Sequence, residues 1–129
     1  MEDAAELVAA IRDAVGDADG LRLLVLHGSR ARGQGRADSD IDVAFLGAVD
    51  LLMVTGRLVA RLGTDAVDLV DLSRASGLLR LRVAQEGVPI LERPAGAFTA
   101  FQIEASRFWC DVETVVREAH EQVLASLPE

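Results

Sequence analysis

Two short groups of residues carry the chemistry that this sequence could perform. The first is Gly28-Ser29, which follows an apolar run, and the second is Asp40-Ile41-Asp42, which begins the next apolar run. Alternate side chains of a strand share one face, so Asp40 and Asp42 are expected to point the same way while Ile41 enters the core. Two neighbouring carboxylates repel each other unless a cation lies between them. The pair therefore predicts a divalent metal site.

A metal held by carboxylates calls for a phosphate ligand, because Mg²⁺ commonly completes its coordination with water and substrate phosphate. Gly28 has no side chain, which allows a triphosphate to approach, and Ser29 adds a hydroxyl and a backbone N–H at an expected helix start. Asp68, on a later strand, is a third acid that could bind the metal or accept the proton of an attacking hydroxyl. These residues predict phosphoryl transfer, with Asp40 and Asp42 as metal ligands and Asp68 as the third catalytic acid, either at the metal or as the proton acceptor.

Two nearby residues leave the assignment open. Asp71 lies on the same predicted strand as Asp68 but on its opposite face, and it competes for the role of third acid. His27 directly precedes the glycine motif, where it either contacts substrate or simply ends a strand.

The chain is acidic, with a formal net charge of −8 over 129 residues. This charge disfavours a nucleic acid partner, which would be repelled by the surface as a whole. Against this background Arg30, Arg32 and Arg36 cluster beside the glycine motif, although they could also be solvated loop charges. A triphosphate site needs positive charge, so Arg30 and Arg32 are predicted to contact the nucleotide or a partner.

The elements that must position these residues can be predicted from hydrophobic periodicity. Predicted strands cover 21–27, 41–46, 66–72 and 88–91. Predicted helices cover 2–15, 51–62, 76–87 and about 97–126, with a short helical segment near 29–33. This order predicts an α/β (α+β) fold in which a small mixed β-sheet has helices packed mainly on one face, in a single domain over residues 1–129.

No apolar run reaches the length of a membrane span, and the N-terminus lacks the features of a signal peptide, so we expect a soluble, cytoplasmic protein without a membrane partner. The single cysteine, Cys110, is expected to be a buried structural thiol. In the long C-terminal helix, Phe101, Phe108 and Trp109 are expected to form a core stripe. Trp109, Val116 and Val123 make this stripe wider than one packing face needs, which leaves open a partner interface in a hetero-complex or a homo-oligomer.

Gly28-Ser29, the following ten residues and Asp40-Ile41-Asp42 resemble the signature of the nucleotidyltransferase superfamily that includes DNA polymerase beta. With Asp68 and its strand, nearly the whole chain resembles MNT-domain proteins, the antitoxin partners of HEPN-domain toxins. The resemblance implies a nucleotidyltransferase fold, ATP as substrate and two Mg²⁺ ions. It also implies transfer of AMP to a tyrosine of a partner HEPN ribonuclease. The chain contains no tyrosine, so such an acceptor must belong to another molecule.

Two other functions remain open at this stage. One is nucleotide transfer to a small molecule, although relatives of that kind usually carry an added substrate-binding domain. The other is an antitoxin that neutralises its partner by binding alone, with an idle nucleotide site.

Overall fold

The computed structural model describes residues 3–35 and 39–128, so Arg36 lies outside the described residues. The strands within these ranges are β1 (Leu21–His27), β2 (Ile41–Gly47), β3 (Val67–Asp71) and β4 (Val88–Glu92). The helices within them are α1 (Ala4–Val15), α2 (Gly28–Ala31), α3 (Leu51–Leu62), α4 (Gly77–Glu86) and α5 (Ala97–Ser126). The predicted order of elements is therefore confirmed.

The strands form one sheet in the order β3-β2-β1-β4. β1 pairs antiparallel with both β2 and β4, whereas β2 and β3 are parallel and are joined by the α3 crossover. The mixed sheet agrees with the prediction, and β4 lies at its edge. Because β1 and β2 are the central strands, the loop between them opens at the end of the sheet where both the glycine and the acidic motifs lie.

Local signals fix the ends of the helices that surround the sheet. The side chain of Asp50 accepts a hydrogen bond from the Met53 N–H at 3.1 Å and begins α3. Gly63 ends that helix with φ of 69°, a left-handed conformation that favours glycine. Ser76 begins α4 by accepting from the Leu79 N–H at 3.2 Å.

Helices cover both faces of the sheet, rather than mainly one face as predicted. Leu24 and Leu26 of β1 belong to a core cluster with α1 and α3, whereas Leu23 and Val25 belong to a second cluster with α4 and α5. Successive side chains of a strand point to opposite faces. A strand that is apolar at every position from Leu23 to Leu26 must therefore be buried on both sides.

Within residues 3–35 and 39–128, only the first part of α5 is buried against the other elements. Its buried residues are Phe98, Phe101 and Ala105. Phe108, which was expected in the core, is instead 52% exposed. Cys110 is exposed, contrary to the expectation of a buried thiol, because it lies on the part of α5 that extends beyond the sheet. Among the residues that the structure describes, no helix is long and apolar enough to cross a membrane.

Candidate active site

Three titratable side chains form a row across the ends of three adjacent strands. His27 of β1 is the register partner of Asp42 of β2, and Asp42 is the partner of Asp68 of β3. Val25 and Ala44, two residues away on β1 and β2, belong to the core cluster under α4 and α5. By strand alternation the row lies on that same face. The structure therefore brings Asp42 and Asp68 together.

The backbone of Gly28 lies directly against the Asp42 carboxylate. Gly28 has φ of 75°, a conformation that L side chains rarely adopt, and a Cβ atom there would overlap Asp42 Oδ2. Glycine is therefore required at this position both by conformation and by space. Ser29 follows in α2, where its carbonyl accepts a hydrogen bond from the Gln34 N–H at 3.0 Å.

Asp42 is the acid of the row whose pKa is affected by several neighbouring charges. Burial raises the pKa of Asp42, and the negative charges of Asp68 and Asp40 raise it further. His27 and Arg32 act in the opposite direction and lower that pKa. These four groups are therefore close enough to Asp42 to affect its ionisation, and a cation near Asp42 would relieve the repulsion among the three acids.

His27 is the half-buried imidazole of the row. Burial lowers its pKa, and the charges of Asp42 and Asp68 only partly oppose this effect. Within the described part of the chain, its buried Nε2 atom has no hydrogen-bond partner. An unpaired buried nitrogen beside two carboxylates suits contact with a ligand.

Asp40 and Asp68 are both exposed, and Asp40 directly precedes β2. Asp71 lies at the other end of β3, opposite Phe45. It accepts hydrogen bonds from the Ser73 hydroxyl at 2.7 Å and from the Ser73 N–H at 3.0 Å, and the hydroxyl bond is the main cause of its lowered pKa. Asp71 thus stabilises a turn, and Asp68 is the acid beside Asp42.

The two predicted nucleotide-binding arginines have different surroundings. Arg30 is buried, and its Nη2 donates to the Ser39 carbonyl at 3.2 Å, which joins α2 to the residues just before β2. Arg32 is exposed and forms an ion pair with Glu86 of α4 at 3.0 Å. Its charge also acts on Asp42. Arg32 is therefore the arginine near the acids, whereas Arg30 supports the loop from inside.

Glu86 also lies at the site, through its contact with Arg32. Its sequence position did not predict a role there. It is 54 positions from Arg32 in the sequence, and nothing local to α4 indicates the contact. Only the packing of α4 against the sheet brings its last residue to the α2 loop.

The donor set fits a magnesium ion that is completed by substrate. Among residues 3–35 and 39–128, no three His, Cys, Asp or Glu side chains gather into a ready metal cage. Mg²⁺, however, typically takes one or two carboxylates and fills its other positions with water and phosphate oxygens. Asp42 and its neighbours Asp40 and Asp68 provide such carboxylates beside the open backbone of Gly28.

A mixed four-stranded sheet with acids on two adjacent strands and a glycine loop facing them defines a nucleotidyltransferase fold. Residues 10–95 match the family model described as "Polymerase beta, Nucleotidyltransferase". The chain belongs to this family, which confirms the resemblance and fold predicted from the sequence.

Individual proteins are also similar to this chain. It is 32% identical over 96 residues to the protein adenylyltransferase MntA of Aphanizomenon flos-aquae, a match that spans 64% of this chain and 64% of the relative. A crystal structure of a toxin–antitoxin with AMP-PNP matches with a TM-score of 0.68 at 26% identity, over 92% of this chain and 95% of the other. A mutant MntA toxin–antitoxin structure matches with a TM-score of 0.66 at 26% identity, over 96% and 99%.

Proposed function

We propose that this chain is an antitoxin that transfers AMP from ATP to a hydroxyl, most simply a tyrosine, of a partner HEPN toxin. The single observation that carries the proposal is the Asp42–Asp68 pair on adjacent strands, with the backbone of Gly28 against it. The similarity to an adenylyltransferase and to a toxin–antitoxin structure with an ATP analogue supports the same assignment.

In this proposal the carboxylates of Asp40, Asp42 and Asp68 hold two Mg²⁺ ions, and Gly28 and Ser29 contact the triphosphate. Bound Mg²⁺ supplies charge neutralisation at the phosphates and at the attacking oxygen. Arg32 adds positive charge beside the same phosphates, and Arg30 keeps the loop in the shape that the triphosphate needs.

The reaction is an in-line substitution at the α-phosphorus. The acceptor oxygen forms a bond to this phosphorus, the bond to the bridging oxygen breaks, and pyrophosphate leaves. Asp68, an exposed carboxylate of the row, is a candidate to accept the hydroxyl proton. The acceptor comes from the partner, because this chain contains no tyrosine.

The test combines this chain with the HEPN toxin encoded with it, ATP and Mg²⁺, and follows the mass of the toxin. We expect the mass to increase by one or more AMP units with the native chain. The Asp42→Asn variant should give no increase, because it removes the central carboxylate while changing little of the core.

A binding-only antitoxin predicts a different result. If the toxin stays unmodified and the Asp40→Asn variant still neutralises it, the enzymatic proposal is wrong. A toxin that is neither bound nor modified would remove the antitoxin assignment altogether.

A further inference from the structure

The second half of α5 is a helix without a partner in the described structure. α5 has 30 residues, which corresponds to roughly 45 Å, and Ala105 is its last buried residue. Residues 106–126 therefore extend beyond the sheet. Such a segment gains little stability from this chain's own packing.

This segment nevertheless carries a broad apolar face. We call this face the α5 stripe, and it consists of Phe108, Trp109, Val112, Val115, Val116 and Val123. Val115, Val116 and Val123 expose 64%, 62% and 57% of their surface. At 100° per residue the stripe spans roughly 120° of the helix circumference, the width of a helix face that packs on a folded surface rather than a narrow coiled-coil seam.

The stripe continues the face that α5 already uses for packing. Phe101 and Ala105 are buried against the sheet and α4, and at helical spacing they lie on the same side of α5 as Val112. Phe108 marks the transition, because its ring lies against Gly77 at the start of α4. Gly77 is the first residue of α4, so beyond Phe108 this helix no longer covers the face, and the other described residues do not cover it either.

The borders of the stripe carry more acidic than basic side chains. Asp111 and Glu118 lie along one border, with Arg107 beside them, and Glu113 lies along the other border. Arg117 lies further round the helix. Two copies of this chain, each of net charge −8, would bring these acids against one another on pairing. A different chain with an apolar centre and a basic rim fits the surface better.

We propose that the α5 stripe is the docking surface for the HEPN toxin, with basic residues of the toxin facing the acidic borders. This inference rests on the proposed function, since it takes the toxin as the partner. Gly77 and Glu86 are the two ends of α4, roughly 15 Å apart. Docking at Phe108 and beyond is therefore separate from the Arg32–Glu86 contact at the active site, and binding and transfer can be disrupted independently.

The experiment measures affinity for the HEPN toxin by calorimetry with the native chain and with Val116→Glu, Val123→Glu and Thr114→Glu. The two valine variants place a charge inside the stripe, and each should weaken binding at least tenfold. Thr114→Glu is the matched control, because it adds the same charge to the opposite side of the same helix. ATP binding should be unchanged in all three, and native binding should weaken as salt is raised.

A second readout reports on the stripe itself. Trp109 is the only tryptophan, so 5-fluorotryptophan incorporated into this chain alone gives one fluorine resonance. Addition of the toxin should shift this resonance for the native chain and for Thr114→Glu, but not for Val116→Glu.

Three results would overturn the inference, and they differ in whether they also reject the proposed function. Equal affinity of all variants for the toxin would reject this docking surface and leave the proposed function intact. A native chain that does not bind the toxin at all would reject both. Sedimentation of the chain alone as a dimer that Val116→Glu dissociates would show that a second copy covers the stripe.

Discussion

The backbone of Gly28 and the carboxylate of Asp42 are so close that a side chain at position 28 would displace the carboxylate. Gly28→Ala would impose a left-handed backbone on an L residue, at a cost of roughly 1–2 kcal/mol, and would also push the new methyl group into the Asp42 carboxylate. Gly33→Ala is the matched control, because Gly33 has φ of 73° but nothing within 4 Å of an added Cβ. We expect both variants to lose thermal stability and only Gly28→Ala to lose AMP transfer. Equal activity in the two would mean that the close approach at Asp42 is unimportant.

The raised pKa of Asp42 predicts how stability depends on pH. Between the ordinary value of 3.8 and its raised pKa, Asp42 binds more protons in the folded state than in the unfolded state. The free energy of unfolding should therefore fall as pH rises through this window. Asp42→Asn removes this loss and should raise the melting temperature at neutral pH.

Asp71 is the control for this measurement, because its pKa is shifted in the opposite direction to that of Asp42. Its pKa is lowered, so its contribution to stability is present at neutral pH and is lost as pH falls through the lowered pKa. Asp71→Asn should consequently lower the melting temperature at neutral pH. If both variants change stability in the same direction, the electrostatic account of Asp42 is wrong.

At the scale of elements, the sequence could predict those features that depend on residues close together in the chain. Asp50, Gly63 and Ser76 act within one helical turn, so the ends of α3 and α4 could be read from the chain. Strand alternation predicted that Asp40 and Asp42 share a face, whereas the register that places Asp68 beside Asp42 comes from the pairing of β2 with β3 across the α3 crossover. The Arg32–Glu86 contact and the buried position of Arg30 could not be predicted, because they depend on how distant segments pack. For the same reason the sequence did not predict that helices cover both faces of the sheet.

Arg80 shows how one side chain holds several elements together. Its Nη1 donates to the Leu72 carbonyl at 2.7 Å, its Nη2 pairs with Glu104 at 3.1 Å, and its guanidinium lies 5.3 Å from the centre of the Phe101 ring. Arg80→Met keeps the apolar stem but leaves the Leu72 carbonyl without this donor, so chemical denaturation should show a loss of about 1–3 kcal/mol. Glu104→Gln removes only an exposed partner and should cost about 0.5 kcal/mol or less. Similar losses in both would assign the effect to the ion pair.

At the scale of the whole molecule, net charge determines how the substrate can bind. A triphosphate approaching an acidic chain of net charge −8, beside Asp40, Asp42 and Asp68, is repelled unless divalent cations screen it. Calorimetry should therefore show ATP affinity at least tenfold weaker in EDTA than in Mg²⁺. Asp42→Asn should reduce this difference. Equal affinity in both solutions would contradict the proposed role of the acids as metal ligands.

The projecting half of α5 also has a consequence for the lifetime of the chain. Residues 106–126 form their helix almost without tertiary contacts, so this segment opens by local unfolding at a much lower free energy than the sheet. An open, apolar segment with Arg107 and Arg117 in it is a ready substrate for proteases. A bound partner would hold the helix closed and hide these cleavage sites. The amount of this protein that survives in a cell would then follow the amount of its partner, with no regulator beyond the helix itself.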